Sequence, residues 1–289
     1  MLKPSNKVFE ERREIFLKKL GGKAAIIPGA NLVTHHADCE YPFRQDSNFW
    51  YLTGFDEPDS VALFLSHKPK GERFILFVAP KDVIGEVWNG FRWGLEGAEK
   101  NFNADKAHSI NDLKALLPSY ISGSDEIVFA IGKYPSIEKT VLEIFSKQLE
   151  GRSRLGIGAN AIKSPEIYLN EMRLIKSDFE IKRMREAIQI SAEAHELVRE
   201  SISSKKNERQ IQGLIEGFFL EKGARGPAYN SIVASGDNAC ILHYTLNNSL
   251  LNKDDLLLVD AGCSLIDYYN GDITRTIPIG GKFSKEQKL

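Results

Sequence analysis

Residues 256–281 read LLLVDAGCSLIDYYNGDITRTIPIGG and place an aspartate at the edge of each of two apolar segments. The first segment ends at Asp260, and Asp272 opens the second. With the two-residue period of a strand, Asp272 shares a face with Thr274, whereas Arg275 takes the opposite face. If residues 268–271 help to turn the chain, the two strands pair antiparallel and both carboxylates can meet on one face. The stretch therefore predicts a β-hairpin that carries a pair of aspartates.

Two neighbouring carboxylates repel each other, so at neutral pH the pair needs a shared proton, an arginine partner or a metal ion. Arg275 faces away from Asp272 in this hairpin and is a poor partner. A hard divalent ion bound by oxygen is the remaining solution, and two bridged ions would neutralise the site more fully. Alternatively, Asp260 simply accepts hydrogen bonds from turn amides. Spacing alone leaves both interpretations open.

Upstream of the hairpin, the sequence Ser-Asp-Phe-Glu from Ser177 to Glu180 matches a capping box and predicts a helix from Asp178 to about Glu200. A second helix is expected near Asn207, because its apolar residues recur at the spacing of one buried face before Gly223. The residues of that face are Ile211, Leu214, Ile215, Phe218 and Phe219. The strands expected to follow are Ser231–Ala234, Cys240–Thr245, Asp255–Asp260 and Ile273–Ile279. Helices followed by strands predict an α+β unit.

The first half of the chain alternates short apolar runs with helical stretches, which predicts a mixed α/β domain. The expected strands are Ala24–Pro28, Val61–Ser66, Phe74–Ala79 and Ile127–Ile131. The expected helices are Val8–Leu20, Asn111–Tyr120 and Ser136–Leu149. A loop over residues 151–170 is expected to join the two domains, which we place at residues 1–172 and 173–289.

Histidines give a weaker signal than the aspartates. His243 lies within the apolar run CILHYT, which predicts a strand, and a single strand histidine is more often structural than functional. His35 and His36 are sequence neighbours and cannot easily face one ion from a regular strand. By themselves, these residues leave a catalytic role open.

Composition excludes several classes of function. The net charge of −1 over 289 residues provides no field that would attract nucleic acid or an anionic membrane, so we expect neither partner. The charged start lacks a secretory signal, and no apolar run is long enough to span a bilayer. Three cysteines without CxxC spacing argue against a disulfide framework and favour a reducing, cytoplasmic location.

Several longer segments together resemble the Xaa-Pro aminopeptidases (aminopeptidase P), which are related to prolidase, creatinase and methionine aminopeptidase. The matching segments are YPFRQDSNFWYLTGFDEPDSV (41–61), EMRLIKSDFEIKRMREA (171–187), AYNSIVASGDNACILHYTLN (228–247), LLLVDAGC (256–263) and NGDITRTIPIGGKF (270–283). They are spread over nearly the whole chain. The resemblance implies an α/β amino-terminal domain of the creatinase and aminopeptidase P type, followed by a pita-bread domain of α+β architecture that sandwiches two metal ions.

The resemblance also implies roles for individual residues. Asp260 would bind one metal ion and Asp272 would bridge both, the metal commonly being manganese. His243 would hold the substrate or the tetrahedral intermediate, and Tyr229 would be an active-site tyrosine. Trp88, within EVWNGFRWG, resembles a tryptophan that reaches the substrate site of a neighbouring subunit, which implies a homo-oligomer.

The implied reaction removes the amino-terminal residue from a peptide whose second residue is proline. The metal ions would activate a water molecule and polarise the scissile carbonyl, while a carboxylate handles the proton. Two alternatives remain open. One is a prolidase-like dipeptidase, although YPFRQDSNFWYLTGF favours aminopeptidase P; the other is a non-catalytic relative that acts in peptide binding or subunit assembly.

The chain departs from the family pattern in two respects. Asp272 follows Asp260 by twelve positions, whereas eleven is usual, so an extra residue must be absorbed at the turn or in a bulge if both carboxylates are to keep one face. The family's remaining ligands, a histidine and two glutamates, follow well after the IPIGGKF segment, and the sequence stops at Leu289. We therefore expect an incomplete pita-bread domain, truncated at its carboxyl end, with part of the dinuclear site.

Overall fold

The computed structural model of the chain describes residues 5–156, 158–202 and 207–288. These residues divide into two compact units, one ending at Ile175 and the other beginning at Lys176. Each unit has hydrophobic clusters of its own. None of the helices in the described ranges is long and apolar enough to cross a membrane.

The first unit is built on a six-stranded sheet with a small hairpin beside it. Its strands are β1 (Ala24–Pro28), β2 (Thr34–His36), β3 (Cys39–Glu40), β4 (Val61–Leu65), β5 (Phe74–Val78), β6 (Lys106–Ser109), β7 (Glu126–Val128) and β8 (Ala161–Lys163). The large sheet has the order β6-β5-β4-β1-β7-β8, and β2 pairs with β3. Strand β4 is antiparallel to both neighbours, whereas the β1–β7, β7–β8 and β5–β6 pairs are parallel.

Helices cover both faces of this sheet. They are α1 (Asn6–Leu20), α2 (Ser47–Thr53), α3 (Val83–Asn89), α4 (Gly94–Phe102), α5 (Leu113–Ile121), α6 (Pro135–Leu155) and α7 (Glu166–Leu174). Because side chains alternate along a strand, Ala25 and Ile27 of β1 pack in the cluster with α1 and α2, whereas Ala24 and Ile26 pack with α5 and α6. The unit therefore has three layers, and the mixed α/β domain that the sequence predicts is confirmed.

The predicted linking loop over residues 151–170 is wrong for the residues that the structure describes, residue 157 lying outside them. Residues 151–155 complete α6, β8 adds a parallel edge strand beside β7, and α7 follows. Strand β8 has only three residues and is partly exposed, so it lacks a strong local strand signal. Its conformation depends on pairing with β7, which is distant in sequence.

The second unit combines two helices with short strands. The helices are α8 (Asp178–Ser201) and α9 (Glu208–Glu221), and the strands are β9 (Gly226–Pro227), β10 (Ile232–Ser235), β11 (Leu256–Asp260), β12 (Cys263–Ser264) and β13 (Thr274–Pro278). Strands β10, β11 and β13 form an antiparallel sheet with β11 in the centre, and β12 pairs with β9. This is the predicted α+β unit.

The helix starts follow the sequence signals closely. The Oγ of Ser177 accepts a hydrogen bond from the Glu180 amide, and the Glu180 carboxylate accepts one from the Ser177 amide at 2.9 Å, which confirms the capping box. Asn207 and Gln210 form a second capping box at α9. The predicted buried face of α9 is confirmed, since its apolar residues pack in the core of this unit.

The predicted strand over Cys240–Thr245 is wrong. A 3₁₀ helix spans Gly236–Cys240, and the chain then turns at 242–243. Ile241 and Leu242 are exposed, and Tyr244 is the residue of this run that points into the protein. Hydrogen bonds of Tyr244 with Glu208 and Asn238 hold the run in an irregular conformation.

Candidate metal centre

The two aspartates lie on the hairpin formed by β11 and β13. Asp260 is the last residue of β11 and pairs with Thr274, the first residue of β13. Residues directly opposite each other in an antiparallel pair share a face, and so do residues two apart along one strand. Asp272 therefore lies on the same face as Thr274 and Asp260, as the hairpin model predicts.

Tyr229 joins the two carboxylates. Its hydroxyl oxygen lies 2.5 Å from Asp260 Oδ1 and 2.9 Å from Asp272 Oδ1. Burial, followed by the hydrogen bonds to the two carboxylates, raises the pKa of Tyr229, so the phenol stays protonated. Three oxygens converge here, and the hydroxyl has one proton that it can donate to one carboxylate at a time. The other carboxylate then has no hydrogen bond from this hydroxyl.

Close packing of glycines brings the hairpin strands together. A Cβ atom at Gly262 would lie 2.8 Å from the amide nitrogen of Asp272 and closer still to the carbonyl group of Gly271. A Cβ atom at Gly271 would meet the carbonyl oxygen of Ala187 in α8 at 2.8 Å. Gly262 and Gly271 therefore have no room for a side chain, because any side chain there would push neighbouring backbone away.

Pairing keeps one register along the whole hairpin. The Ala261 amide bonds to the Ile273 carbonyl, the Gly271 amide to the Cys263 carbonyl, and the Leu265 amide to the Tyr269 carbonyl. The unpaired residues are those of the turn at 266–268, where Tyr268 has a φ of 66°. The residue by which the Asp260–Asp272 spacing exceeds the usual family spacing is therefore accommodated in the turn. The side chain of Asp272 stays on the same face of the hairpin as that of Asp260.

A buried ion pair attaches this turn to α8. Asp267 is 1 % exposed, and the guanidinium of Arg183 donates to both of its carboxylate oxygens. The hydroxyl of Tyr269 also donates to Glu180 of the same helix at 3.2 Å. The helix thus fixes the hairpin that carries the aspartates, and the sequence reasoning missed this anchor. The sequence did carry a signal for it: Arg183 lies four residues before Ala187, on the buried face of α8, and a buried arginine needs a partner. Arg183 is 3 % exposed.

The donor set at Asp260, Asp272 and Tyr229 fits a hard divalent cation. All three groups offer oxygen, the ligand atom that manganese and magnesium prefer. The two carboxylates converge on one hydroxyl without a lysine or arginine at these contacts, and a cation would relieve their repulsion. Among the described residues, no group of three or more histidines, cysteines, aspartates and glutamates is arranged to hold a metal ion. The described part of the chain therefore supplies a carboxylate pair.

Among the described residues, neither of the other residues singled out from the sequence has a hydrogen bond to Asp260, Asp272 or Tyr229. His243 is exposed in the turn after the 3₁₀ helix and has no hydrogen bond among the described residues. Trp88 belongs to α3 of the first unit and is 84 % exposed. The structure thus brings together Asp260, Asp272 and Tyr229.

A cavity of about 520 Å³ lies on the opposite face of β13. Ile273, Arg275 and Ile277 line it together with residues of α8, which confirms that these alternate residues share the face away from Asp272. His195 of α8 also lines the cavity and bonds to the Ala261 carbonyl at 3.0 Å. Burial lowers the pKa of His195, so the imidazole is neutral near neutral pH.

Comparison with known proteins defines the class to which this fold and site belong. Residues 182–289 match the model of metallopeptidase family M24, and residues 9–129 match that of the aminopeptidase P amino-terminal domain. The M24 match lies entirely within the second unit. The chain belongs to the aminopeptidase P family of M24 metallopeptidases.

Individual relatives agree with this assignment. The chain is 38% identical to the Xaa-Pro aminopeptidase of Escherichia coli, and the match covers 98% of this chain and 64% of that protein. It is 40% identical to the Xaa-Pro aminopeptidase of Haemophilus influenzae, and that match covers 100% of this chain and 64% of that protein. The solved structure of Pseudomonas aeruginosa aminopeptidase PepP superposes with a TM-score of 0.94 at 36% identity, covering 100% of this chain and 65% of that one. A zinc-substituted E. coli aminopeptidase P in complex with product gives a TM-score of 0.93 at 36% identity and covers 99% of this chain and 65% of that one. The chain thus spans slightly less than two thirds of these relatives.

Proposed function

We propose that this chain belongs to an aminopeptidase that releases the amino-terminal residue from peptides with proline at the second position. The convergence of Asp260 and Asp272 on the hydroxyl of Tyr229 carries this proposal, together with the identity to Xaa-Pro aminopeptidases. A carboxylate pair on one face of a rigid hairpin is the arrangement that a metallohydrolase needs in order to hold its ions.

In this proposal Asp260 and Asp272 hold two divalent metal ions, manganese being the expected metal, and this chain supplies part of the ligand set. When bound, the ions supply Lewis acidity for the scissile carbonyl and lower the pKa of a water molecule. The hairpin holds both carboxylates in place, because its register and its glycine contacts leave little freedom. Tyr229 donates a hydrogen bond at this site, as its protonated phenol allows.

Substrate contacts are assigned to Tyr229, His243 and Trp88. The exposed position of His243 leaves its imidazole available to hold the substrate or the tetrahedral intermediate. Trp88 would reach the site of a neighbouring subunit in a homo-oligomer. Helix α3 supports this assignment because its apolar residues face the solvent. Each of them is between 77 and 84 % exposed: Val83, Ile84, Val87 and Trp88.

We also place the protein in the cytoplasm. Cys39, Cys240 and Cys263 are free thiols, and two of them are exposed. Exposed free thiols suit a reducing compartment.

Hydrolysis tests the proposal directly. The full-length protein is incubated with Mn²⁺ and a tripeptide whose second residue is proline. Release of the first residue is expected, with far slower release when alanine replaces the proline. Asp260→Asn and Asp272→Asn should abolish both turnover and Mn²⁺ binding measured by calorimetry.

The alternatives give different results in the same assay. A prolidase-like enzyme would cleave the X-Pro dipeptide in preference to the tripeptide. A folded, monodisperse protein without turnover of either peptide would favour the non-catalytic relative. Mn²⁺ binding that survives both aspartate substitutions would refute the assignment of the metal ligands.

A further inference from the structure

Glu208, the first residue of α9, is a fully buried carboxylate with five hydrogen-bond donors. Its Oε1 accepts from the Ser235 amide and hydroxyl, both at 2.8 Å, and from Asn238 Nδ2 at 3.0 Å. Its Oε2 accepts from the Tyr244 hydroxyl at 2.7 Å and the Ser249 amide at 2.9 Å. Every donor comes from a single stretch of chain, residues 235–249.

A buried carboxylate is costly unless its lone pairs are satisfied. No lysine or arginine is among the five donors, so neutral donors supply the compensation, aided by the partial positive charge at the start of α9. Burial raises the pKa of Glu208, but the hydrogen bonds from Asn238, Ser249, Ser235 and Tyr244 outweigh it and leave this pKa below its ordinary value. The carboxylate is therefore ionised and tightly held at neutral pH.

These contacts fix the segment that carries His243. The segment of residues 236–248 leaves the sheet after Ser235, the last residue of β10, and returns to α9 at Ser249, whose carbonyl accepts from the Glu208 amide. Apart from the 3₁₀ helix Gly236–Cys240, the segment has no regular secondary structure. Glu208 thus binds the entry, the interior and the exit of an irregular segment at one point.

A second contact supports the same segment near its exit. Asn247 is fully buried, donates to the Ser231 carbonyl at 2.8 Å and to Gln212 at 3.0 Å, and accepts from the Val233 amide at 3.0 Å. Its φ of 47° lies in the left-handed region, where asparagine is tolerated. The exposed turn with His243 therefore projects from a base that is held between β10 and α9.

We propose that Glu208 is a positioning residue that fixes the 236–248 segment and, through the Tyr244 hydroxyl, sets the position of the neighbouring His243 imidazole. The part of this inference that concerns turnover rests on the proposed peptidase function. The positions of the 236–248 segment and of His243 can be measured without substrate, so this part of the inference does not depend on the proposed function.

The test compares Glu208→Gln with the wild type and with the control Glu221→Gln, which makes the same chemical change on the same helix. Glu221 is exposed and lies at the other end of α9. In Glu208→Gln, amide hydrogen exchange across residues 236–248 should accelerate about 10- to 100-fold, because charge-assisted hydrogen bonds are lost, while exchange in α8 and β11 stays as in the wild type. The NMR signals of the His243 ring should shift or broaden in this variant and remain unchanged in Glu221→Gln.

Turnover provides the second measurement. With an X-Pro tripeptide, kcat should fall at least about tenfold in Glu208→Gln, whereas Glu221→Gln should keep the wild-type kcat. If Glu208→Gln does not fold, Tyr244→Phe removes one donor and should accelerate exchange in the same segment to a smaller extent. If the wild type has no turnover, the proposed function fails, yet exchange and the His243 signals still decide the role of Glu208.

Two results would overturn the inference. One is unchanged exchange and unchanged His243 signals in Glu208→Gln. The other is faster exchange spread evenly over α8, β11 and the segment, because that pattern indicates a contribution to overall stability instead of local positioning.

Discussion

Nε of Arg183 lies 2.7 Å from Oδ2 of Asp267, and Nη2 lies 3.0 Å from Oδ1, with the two side chains 3 % and 1 % exposed. This bidentate ion pair holds the turn of the hairpin against α8. The carboxylate of Glu186 also pairs with the guanidinium of Arg183. The hairpin in turn carries Asp260 and Asp272. A contact outside the carboxylate pair thus determines where that pair lies.

Substituting Arg183 by methionine should destabilise the protein by about 3–5 kcal/mol, because Asp267 would remain buried without its cation. Urea unfolding followed by circular dichroism measures this loss. The double variant Arg183→Met with Asp267→Leu removes both charges and should recover much of the stability. A double variant less stable than Arg183→Met would contradict the buried-charge explanation.

Gly262→Ala should destabilise the protein by about 1–3 kcal/mol or more, since the new methyl group meets the backbone of Gly271 and Asp272 across the hairpin. Gly213→Ala is the matched control. Gly213 lies in α9 with nothing within 4 Å of an added Cβ, so alanine should stabilise by up to about 1 kcal/mol. Equal effects of the two substitutions on the free energy of unfolding would refute the close approach at Gly262.

Cys263 should resist thiol reagents in the native protein. It is fully buried, and burial raises the pKa of its thiol, so both access and the thiolate fraction are low. Cys39 and Cys240 are exposed and should react about 100-fold faster or more with Ellman's reagent at pH 8. Cys263→Ala should remove the slow phase alone, and three equally fast thiols would contradict the buried position.

His195 should make stability depend on pH below neutrality. Burial lowers its pKa in the folded protein, whereas the unfolded value is about 6.5. The neutral imidazole is therefore favoured by folding, and its contribution is present above about pH 6.5 and is lost as the pH falls through the folded-state pKa. Urea unfolding of the wild type and of His195→Gln at pH 7.5, 6.5 and 5.5 measures the difference in free energy, which should shrink as the pH falls.

The other histidines with lowered pKa values, His67 and His108, are present in both proteins and cancel in this comparison. A difference in the free energy of unfolding that is independent of pH would show that His195 contributes by packing and hydrogen bonding alone.

Trp88→Glu should dissociate the proposed homo-oligomer and leave the fold of the subunit intact. Trp88 is 84 % exposed, so a charge there costs an isolated subunit little, whereas burying that charge between subunits is costly. Sedimentation velocity measures the mass. Ile167→Glu on α7, at a side chain 56 % exposed, is the control. An unchanged mass for Trp88→Glu would exclude α3 from a subunit contact.

Local patterns predicted the regular elements well. The strand over Ala24–Pro28 is observed with those bounds, and the helix expected from Asp178 to about Glu200 ends at Ser201. Continuous apolar runs and capping boxes are strong because the residues that cause them are adjacent in sequence. The failures lie where distant partners decide: β8 depends on β7, and Glu208 holds the 240–245 run out of a strand.

The sequence by itself determined the two-unit α/β and α+β organisation, the family resemblance and the shared face of Asp260 and Asp272, since the two-residue period of paired strands fixes which way a side chain points. Only the tertiary structure decided that an extra residue falls in the turn, that Tyr229 lies between the carboxylates and that Arg183 and Glu208 anchor their surroundings. These are contacts between residues tens of positions apart, and no local spacing encodes a contact that forms only when the whole unit packs.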